Sequence, residues 1–332
     1  TKCESGCVCA DGLYENLDGR CVPAEECPCE YGGLAYGRGE QIQTECEICT
    51  CTKGKWKCVQ KTRCSSTCNL YGEGHITTFD GQRFVFDGNC EYILATDGCS
   101  VNRPISSFKI VTENVICGKS GVTCSRSISI YLGVSSSFCH YPDETFAISG
   151  ENPGVQYKVI KNALHLMFDI IIPGKYNMTL IWNKHMNFFI KISRETQETI
   201  CGLCGNYNGN MKDDFETRSK YVASNELEFV NSWKENPLCG DVYFVVDPCS
   251  KNPYRKAWAE KTCSIINSQV FSACHNKVNR MPYYEACVRD SCGCDIGGDC
   301  QCMCDSIAVY AMACLEKGIC IDWRTPEFCR EF

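Results

Sequence analysis

Histidine is scarce, with five in 332 residues. His75, His140, His165, His185 and His275 are scattered, and no His-Glu-x-x-His metal motif, Gly-x-Ser-x-Gly nucleophile elbow or phosphate-binding glycine loop accompanies them. The usual equipment of hydrolases and phosphoryl-transfer enzymes is therefore missing, and no enzymatic activity is predicted. No run of 18 apolar residues occurs, which excludes a membrane-spanning helix. A net charge of -7 supplies no basic surface for nucleic acid or an anionic membrane, and neither is expected as a partner. A disordered stalk is excluded because 44% of the residues are hydrophobic. No secretory leader opens the sequence, so an internal piece of a longer secreted precursor is expected.

What the sequence holds in excess is cysteine, 32 residues distributed along the whole chain. Such usage belongs to proteins that fold in an oxidising compartment, and a secreted, extracellular location follows. Thiolate-bound zinc is the rival explanation, but zinc sites cluster their ligands. The even count permits complete pairing without fixing the connectivity.

Cysteine density divides the chain into three parts, with 12 in residues 1–68, 5 in 69–200 and 15 in 201–332. The first part has few long apolar runs, so cross-links must replace a hydrophobic core. It reads as two small units, one ending near Cys29 and one carrying Cys46, Cys49, Cys51, Cys58 and Cys64. The second part is a series of short β-prone runs: 83–86, 92–94, 108–111, 127–132, 155–160, 164–172, 176–182 and 188–192. Turns such as Asp80-Gly81, Asp87-Gly88 and Pro173-Gly174 separate them, which predicts an antiparallel sandwich or barrel. The last part changes period, and helical spacing over 256–275 and 303–317 predicts a small disulfide-bonded helical domain beginning near Cys249. Between these parts, Phe229 and Trp233 are four apart, as on a short helix with one aromatic face turned inward.

The densest local signal is Cys201-Gly-Leu-Cys-Gly-Asn-Tyr-Asn-Gly-Asn-Met-Lys-Asp-Asp-Phe215. Asn206, Asn208, Asn210, Asp213 and Asp214 set amide and carboxylate oxygens at short spacings among glycines, a composition suited to calcium. The spacing is not that of an EF-hand, and an Asn/Gly turn with solvated carboxylates is equally open on residue types alone. Cys201 and Cys204 form a CxxC pair, a motif able to shuttle disulfides when one thiol is acidic. In so cysteine-rich a chain a structural role is favoured. Cys300, Cys302 and Cys304 alternate, and one of them facing outward would be available to another chain. Spacing alone favours pairing of all three inside the small domain. Asn177-Met178-Thr179 is a sequon for N-linked glycosylation.

Taken together, Tyr71-Gly-Glu-Gly-His-Ile-Thr-Thr-Phe-Asp-Gly81, Phe86-Asp-Gly-Asn-Cys-Glu-Tyr92, Val111-Thr-Glu-Asn-Val115, Cys201-Gly-Leu-Cys-Gly-Asn206 and Asn231-Ser-Trp233 resemble a von Willebrand factor type D domain. The order of parts resembles a third D assembly of the secreted gel-forming mucins, of the mucin-6-like or ovomucin-like type. Cys90-Glu-Tyr-Ile-Leu-Ala-Thr96 and Asn210-Met-Lys-Asp-Asp-Phe-Glu-Thr-Arg218 carry that finer likeness. The resemblance implies a mainly β, multi-module, disulfide-rich chain. Its modules are the end of a trypsin-inhibitor-like module (1–29), an E module (30–67), a D domain built on an antiparallel β-sandwich (68–240) and a helical C8 module (241–332).

The resemblance also implies a structural calcium ion held by Asp80, Asn206, Asn208, Asp213 and Asp214, with Asn210 or Met211 offering at most a backbone carbonyl. It casts Cys201 and Cys204 as ordinary D-domain disulfide partners with a subsidiary role in assembly. In Gly298-Asp-Cys-Gln-Cys-Met-Cys304 it makes Cys302 the intermolecular cysteine, paired with Cys302 of a second chain. Many D domains carry a self-cleaving Gly-Asp-Pro-His. Here Gly72-Glu73-Gly74-His75 lacks both the Asp and the Pro, so no such cleavage is expected.

The implied function is disulfide-linked dimerisation and multimerisation for a mucus or similar protective gel, with calcium and pH governing packing. The partners are then a second copy and other mucus glycoproteins. The alternative is an adaptor that binds another protein, as the corresponding region of von Willebrand factor does, through residues 1–67. A protease-inhibitor role for the first module is a third option.

Overall fold

A computed structural model describes residues 9–330 apart from 17–18, 32–33, 44–46, 61–64, 100–105, 118–121, 134–135, 141–145, 150–153, 162–164, 184–186, 195–199 and 295–298. Cys3, Cys7, Cys46, Cys64 and His185, singled out in the sequence, lie outside the described residues, as do the side chains of Cys300 and His140. The chain forms two units, Thr1–Ser65 and Ser66–Phe332.

The first unit is a set of short antiparallel pairings. β1 (Leu13–Glu15) pairs with β2 (Cys21–Pro23), β3 (Cys29–Tyr31) with β4 (Leu34–Tyr36), and β5 (Gln41–Gln43), β6 (Glu47–Thr52) and β7 (Lys55–Gln60) form a three-stranded sheet. The buried hydrophobic residues described here are three half-cystines, Cys29, Cys49 and Cys51, and Ile42. Disulfides Cys9–Cys21, Cys29–Cys51 and Cys49–Cys58 hold the strands. Cross-links thus stand in for a core, as the composition led one to expect.

In the second unit a seven-stranded antiparallel sheet runs in the order β10-β9-β8-β19-β18-β17-β16. Its strands are β8 (Ser65–Tyr71), β9 (His75–Thr77), β10 (Arg83–Val85), β16 (Gln156–Lys161), β17 (His165–Ile172), β18 (Tyr176–Asn183) and β19 (Phe188–Arg194). The other sheet runs β11 (Glu91–Thr96), β12 (Phe108–Cys117), β13 (Val122–Leu132), β14 (Ser136–His140), β15 (Phe146–Ser149). Alternation decides which face is buried. In β17, Leu166, Phe168, Ile170 and Ile172 point inward, and in β18 Tyr176, Met178, Leu180 and Trp182 do. They share one hydrophobic cluster with Phe108, Ile110, Ile128 and Ile130 of the other sheet, and Phe108 meets Tyr176 edge-on at 5.1 Å. All eight predicted strand regions are present, and the predicted mainly β sandwich followed by a helical part is the observed fold.

α1 (Glu226–Ser232) closes one end of the sandwich. Asn225 caps it by accepting from Glu228 N at 2.9 Å, while Glu228 accepts from Ser224 N. Phe229 packs on Phe84 and Phe215, and Trp233 Nε1 donates to Glu216 O, so both aromatics turn inward as predicted.

The helical domain contains α2 (Pro248–Lys251), α3 (Pro253–Cys263), α4 (Ser272–His275), α5 (Met281–Gly293) and α6 (Asp299–Glu316). The helix expected over 256–275 is not continuous. α3 stops at Cys263, and extended Ser268 separates two 3-10 turns, its hydroxyl accepting from Val270 N. Cys263 is bonded to Cys287 of α5 and Cys274 to Cys314 of α6, so the ends of that run are tied to different helices. The core here, formed around Phe271, Tyr283, Ile307 and Tyr310, also receives Tyr71 from β8.

Candidate metal loop and cysteine junctions

The segment after β19 runs back along β11. Cys201 exchanges backbone hydrogen bonds with Thr96, Leu203 and Cys204 donate to Ile93 and Leu94, and Phe79 N donates to Cys204 O. This addition places the Asn-rich loop against the turn carrying Asp80. Asp80 accepts from Asn208 N at 3.0 Å and Gly209 N at 2.9 Å, and Tyr207 packs on Phe79. Gly205 has a positive φ of 79°, and a Cβ there would stand 2.3 Å from Asp214 Oδ1, so only glycine fits beside that carboxylate.

The five predicted ligands therefore form one cluster. Asp213 accepts side-chain N–H groups from Asn206 (3.1 Å), Asn208 (3.0 Å) and Asn210 (2.8 Å). Against the upward push of burial, the amides of Asn208, Asn206 and Asn210 hold the Asp213 carboxyl below the usual carboxylate range. Asp214 is buried, and its Oδ2 accepts from Thr78 Oγ1 at 2.5 Å. Its Oδ1 has no hydrogen-bond partner among the described residues. Burial pushes Asp214 up to about 7, with the Asp80 carboxylate adding to the rise.

An orphaned buried carboxylate oxygen beside a second carboxylate is chemistry that a hard cation satisfies. Among the described residues no three His, Cys, Asp or Glu side chains already stand as a metal cage. Asp213 is occupied by the three amides, whose half-turn about the terminal bond would present oxygens in place of N–H groups.

Cys201 and Cys204 are buried and bonded to distant partners, Cys201 to Cys99 and Cys204 to Cys68. The CxxC is not a dithiol in this state but the meeting point of two long-range cross-links, beside a third, Cys90–Cys239.

At the start of α6 the structure departs from the expectation of an open thiol. Cys302 is half-buried and bonded to Cys294 of the same chain, eight residues away, while Cys304 is bonded to Cys329. The Cys294–Cys302 bond follows from the immediate succession of α5 and α6, which brings the end of one to the start of the other. A bond from Cys302 to a second chain then requires exchange with Cys294. The free cysteines among the described residues are exposed Cys320 and half-buried Cys27, neither marked out by its sequence neighbourhood.

Sequence reasoning also missed a buried charge cluster between the β8–β9 turn and α5. His75 Nε2 lies 2.6 Å from Asp290 Oδ1, and Asp290 Oδ2 accepts from Ser306. Fully buried Arg126 donates to Gly72 O and Asn114 Oδ1, and Arg289 lies 3.6 Å from Asp87. Glu73 is buried among them, with Oε2 unpartnered among the described residues. Burial first, then the Asp290 and Asp87 carboxylates, push it up to about 9. His75 and Asp290 are 215 residues apart, so no local pattern signals them. The Gly72-Glu73-Gly74-His75 departure has a backbone counterpart. Gly74 has φ +91° with Phe86 O 2.0 Å from a notional Cβ, a conformation closed to the proline of the self-cleaving motif.

Residues 68–221 match the von Willebrand factor type D domain and residues 262–330 match the C8 domain. Over 329 residues the chain is 92% identical to Mucin-6 of Gallus gallus and 65% identical to Mucin-6 of Homo sapiens. Over 332 residues it is 45% identical to Mucin-2 of Homo sapiens. These alignments cover 99%, 99% and 100% of this chain but 28%, 13% and 6% of the three relatives, so the chain spans little more than a quarter of them at most.

Proposed function

The chain belongs to the mucin family of von Willebrand factor type D and C8 domain proteins, and on that premise we propose that it is a secreted, extracellular module for disulfide-linked assembly of a gel-forming mucin. The observation that carries this reading is a sandwich and a helical domain cross-linked throughout, with a sulfur cluster where α5 ends and α6 begins (Cys294, Cys302, Cys304) held by a disulfide of short sequence span. Between one chain in the Cys294–Cys302 form and one reduced at both positions, the Cys302 thiolate of the second attacks Cys302 of the first. A Cys302–Cys302 bond forms and Cys294 leaves as a thiolate, without an external oxidant.

Non-reducing mass analysis of the secreted chain beside Cys302→Ala and Cys320→Ala variants tests this. Loss of the covalent dimer in Cys302→Ala alone supports it. Loss only in Cys320→Ala moves the junction to the exposed thiol, and a monomeric wild type favours the protein-binding adaptor instead.

The same reading includes a structural calcium ion held by Asp80, Asn206, Asn208, Asp213 and Asp214, which would tie the β9–β10 turn to the loop after Cys204. When bound, the ion supplies charge neutralisation and oxygen-ligand geometry rather than catalysis. Calcium at a hundredfold excess over its Kd is expected to stabilise the chain by about 2.7 kcal/mol in thermal unfolding. Asp214→Asn should weaken calcium binding at least tenfold by calorimetric titration. Equal affinity in the variant would remove Asp214 from the site.

A further inference from the structure

The connection between the sandwich and the helical domain shows large apolar side chains to solvent. Within Val242-Tyr-Phe-Val-Val246, Tyr243 is 81% exposed and Phe244 71%, and Tyr254 in the first turn of α3 is 76% exposed. Single exposed apolar residues are ordinary on a protein surface, whereas three aromatics on one connection mark a contact surface. Looseness of the connection does not explain them, because both ends of the run are fixed. Val242 N donates to Asn231 Oδ1 at 2.8 Å and Val242 O accepts from Asn231 Nδ2 at 2.9 Å, in the last turn of α1. Val246 N donates to Asp87 Oδ2 at 3.0 Å, and Val246 O accepts from Arg289 of α5. Between these anchors the backbone N–H and C=O groups of Tyr243, Phe244 and Val245 have no partner among the described residues.

These are the residues of a strand without a sheet. Valine, tyrosine and phenylalanine favour strands, and the run holds neither proline nor glycine. In an extended run, residues two apart turn their backbone groups to the same side. The inward bonds of Val242 and Val246 thus leave the backbone groups of Tyr243 and Val245 facing out. An open edge of this kind is a template for pairing with another chain. The run has valine at both ends, so a two-fold axis through Phe244 sets Tyr243 opposite Val245 and Phe244 opposite itself. The flanking aspartates also meet in that arrangement, but each is already engaged at home, Asp241 with Lys234 and Asp247 with the Ser250 hydroxyl.

The position of the run selects its occupant. From Val246 the chain follows the end of α5: Cys249 is bonded to Cys292, Asn252 Nδ2 donates to Cys292 O at 3.1 Å, and Arg255 donates to Ser291 O. Arg289, which holds Val246, precedes Cys294 by five residues, about 7.5 Å of helix rise. Cys294 is bonded to Cys302, so the aromatic run borders the segment in which two chains exchange sulfur bonds. We propose that Val242–Val246, with Tyr254 beside it, is the surface on which a second copy of this chain docks by antiparallel pairing before the Cys302–Cys302 bond forms. The inference takes its partner from the assembly reading and adds the contact that brings the two junctions together.

The test separates docking from bonding. Cys294→Ser with Cys302→Ser removes the junction sulfurs, and sedimentation of the full chain carrying both changes should still show reversible self-association. Adding Tyr243→Ser and Phe244→Ser should weaken that association about tenfold at an unchanged thermal midpoint, since each change counts twice across a two-fold interface. With both cysteines present, Tyr243→Ser and Phe244→Ser should slow covalent dimer formation about tenfold at chain concentrations below the dissociation constant. A peptide of residues 241–247 should inhibit the association, and the same peptide N-methylated at Tyr243 and Val245 should not. A sulfur-free junction variant that stays monomeric would overturn the proposal. So would association unmoved by Tyr243→Ser and Phe244→Ser or by the peptide, and covalent dimers forming through Cys302 at the wild-type rate in that variant would then leave the assembly reading intact. Association through the run in a chain that forms no Cys302 bond would uphold the docking surface and remove the covalent junction instead.

Discussion

Replacing Cys99 and Cys201 together with serine is expected to lower the stability of the chain by about 4 kcal/mol and its thermal midpoint by roughly 10 °C. The two residues are 102 apart in sequence, and their bond pins the end of β11 to the segment that precedes the metal loop. Cross-linking stabilises chiefly by removing unfolded conformations, more so for longer loops. Cys68–Cys204 and Cys90–Cys239 already draw the same regions together, so the loop closed by Cys99–Cys201 alone is shorter than its separation implies. Changing both residues avoids leaving an unpaired buried thiol. Denaturant unfolding monitored by tryptophan fluorescence supplies the free energy and a thermal melt the midpoint, and a thermal midpoint within a degree or two of wild type would show this cross-link to be dispensable. Calcium affinity should fall in the same variant, because the loop from Asn206 to Asp214 is positioned by the backbone bonds of Cys201, Leu203 and Cys204 to β11.

The features legible in the sequence were those set by local periodicity. Leu166, Phe168, Ile170 and Ile172 alternate with half-buried or exposed residues, and that alternation is itself what packs them into a sandwich. The oxygen-rich loop was legible because its donors are crowded into nine residues, Asn206 to Asp214. Asp80 entered only through the resemblance, since it lies more than a hundred residues away in the chain and meets the loop through backbone N–H groups of Asn208 and Gly209.

Other elements were illegible for physical reasons. α5 (Met281–Gly293) opens with a proline and two tyrosines and mixes cysteine, aspartate and serine, so its helicity comes from packing against α3 and α6 and from Cys263–Cys287. The break at Ser268 within the predicted 256–275 helix likewise depends on which cysteines pair, which spacing does not fix. The partner of Cys302 belongs to the same class. Its bond to Cys294 depends on where α5 ends and α6 begins, two boundaries set by tertiary contacts.

The buried cluster at the β8–β9 turn leads to the other large effect, a stability that falls as pH rises. Glu73 faces Asp290 and Arg289 from α5, Asp87 from the stretch after β10, and Arg126 from β13, with His75 beside it in sequence. Its carboxyl, ordinarily near 4.5, is raised to about 9 by burial and by the Asp290 and Asp87 carboxylates. A folded-state value above the unfolded one means that the folded chain holds a proton which the unfolded chain releases. The contribution is fully present below about 4.5 and is lost as pH rises through about 9, at a slope near 1.4 kcal/mol per pH unit for this one group. Asp214 and Asp305, each raised to about 7 by burial, add to the fall below neutrality. Glu73→Gln keeps the shape and cannot ionise. At pH 5 the variant is expected to unfold within about 1 kcal/mol of wild type, and at pH 7.5 it is expected to be more stable by roughly 4 kcal/mol. The contrast is sharpest between pH 7 and 9, where Glu73 remains the main group still losing its proton among the three acids. Unfolding midpoints of both chains at pH 5, 6, 7.5 and 8.5 give the slopes directly. Parallel slopes would mean that Glu73 is already ionised in the fold, and the three buried carboxylates would then have to be balanced by Arg126 and Arg289. Hydrogen exchange of α5 separates opening of this junction from global unfolding. Protection of Cys287 to Gly293 that declines with pH in wild type but not in Glu73→Gln would locate the proton's effect at the contact between the sandwich and the helical domain.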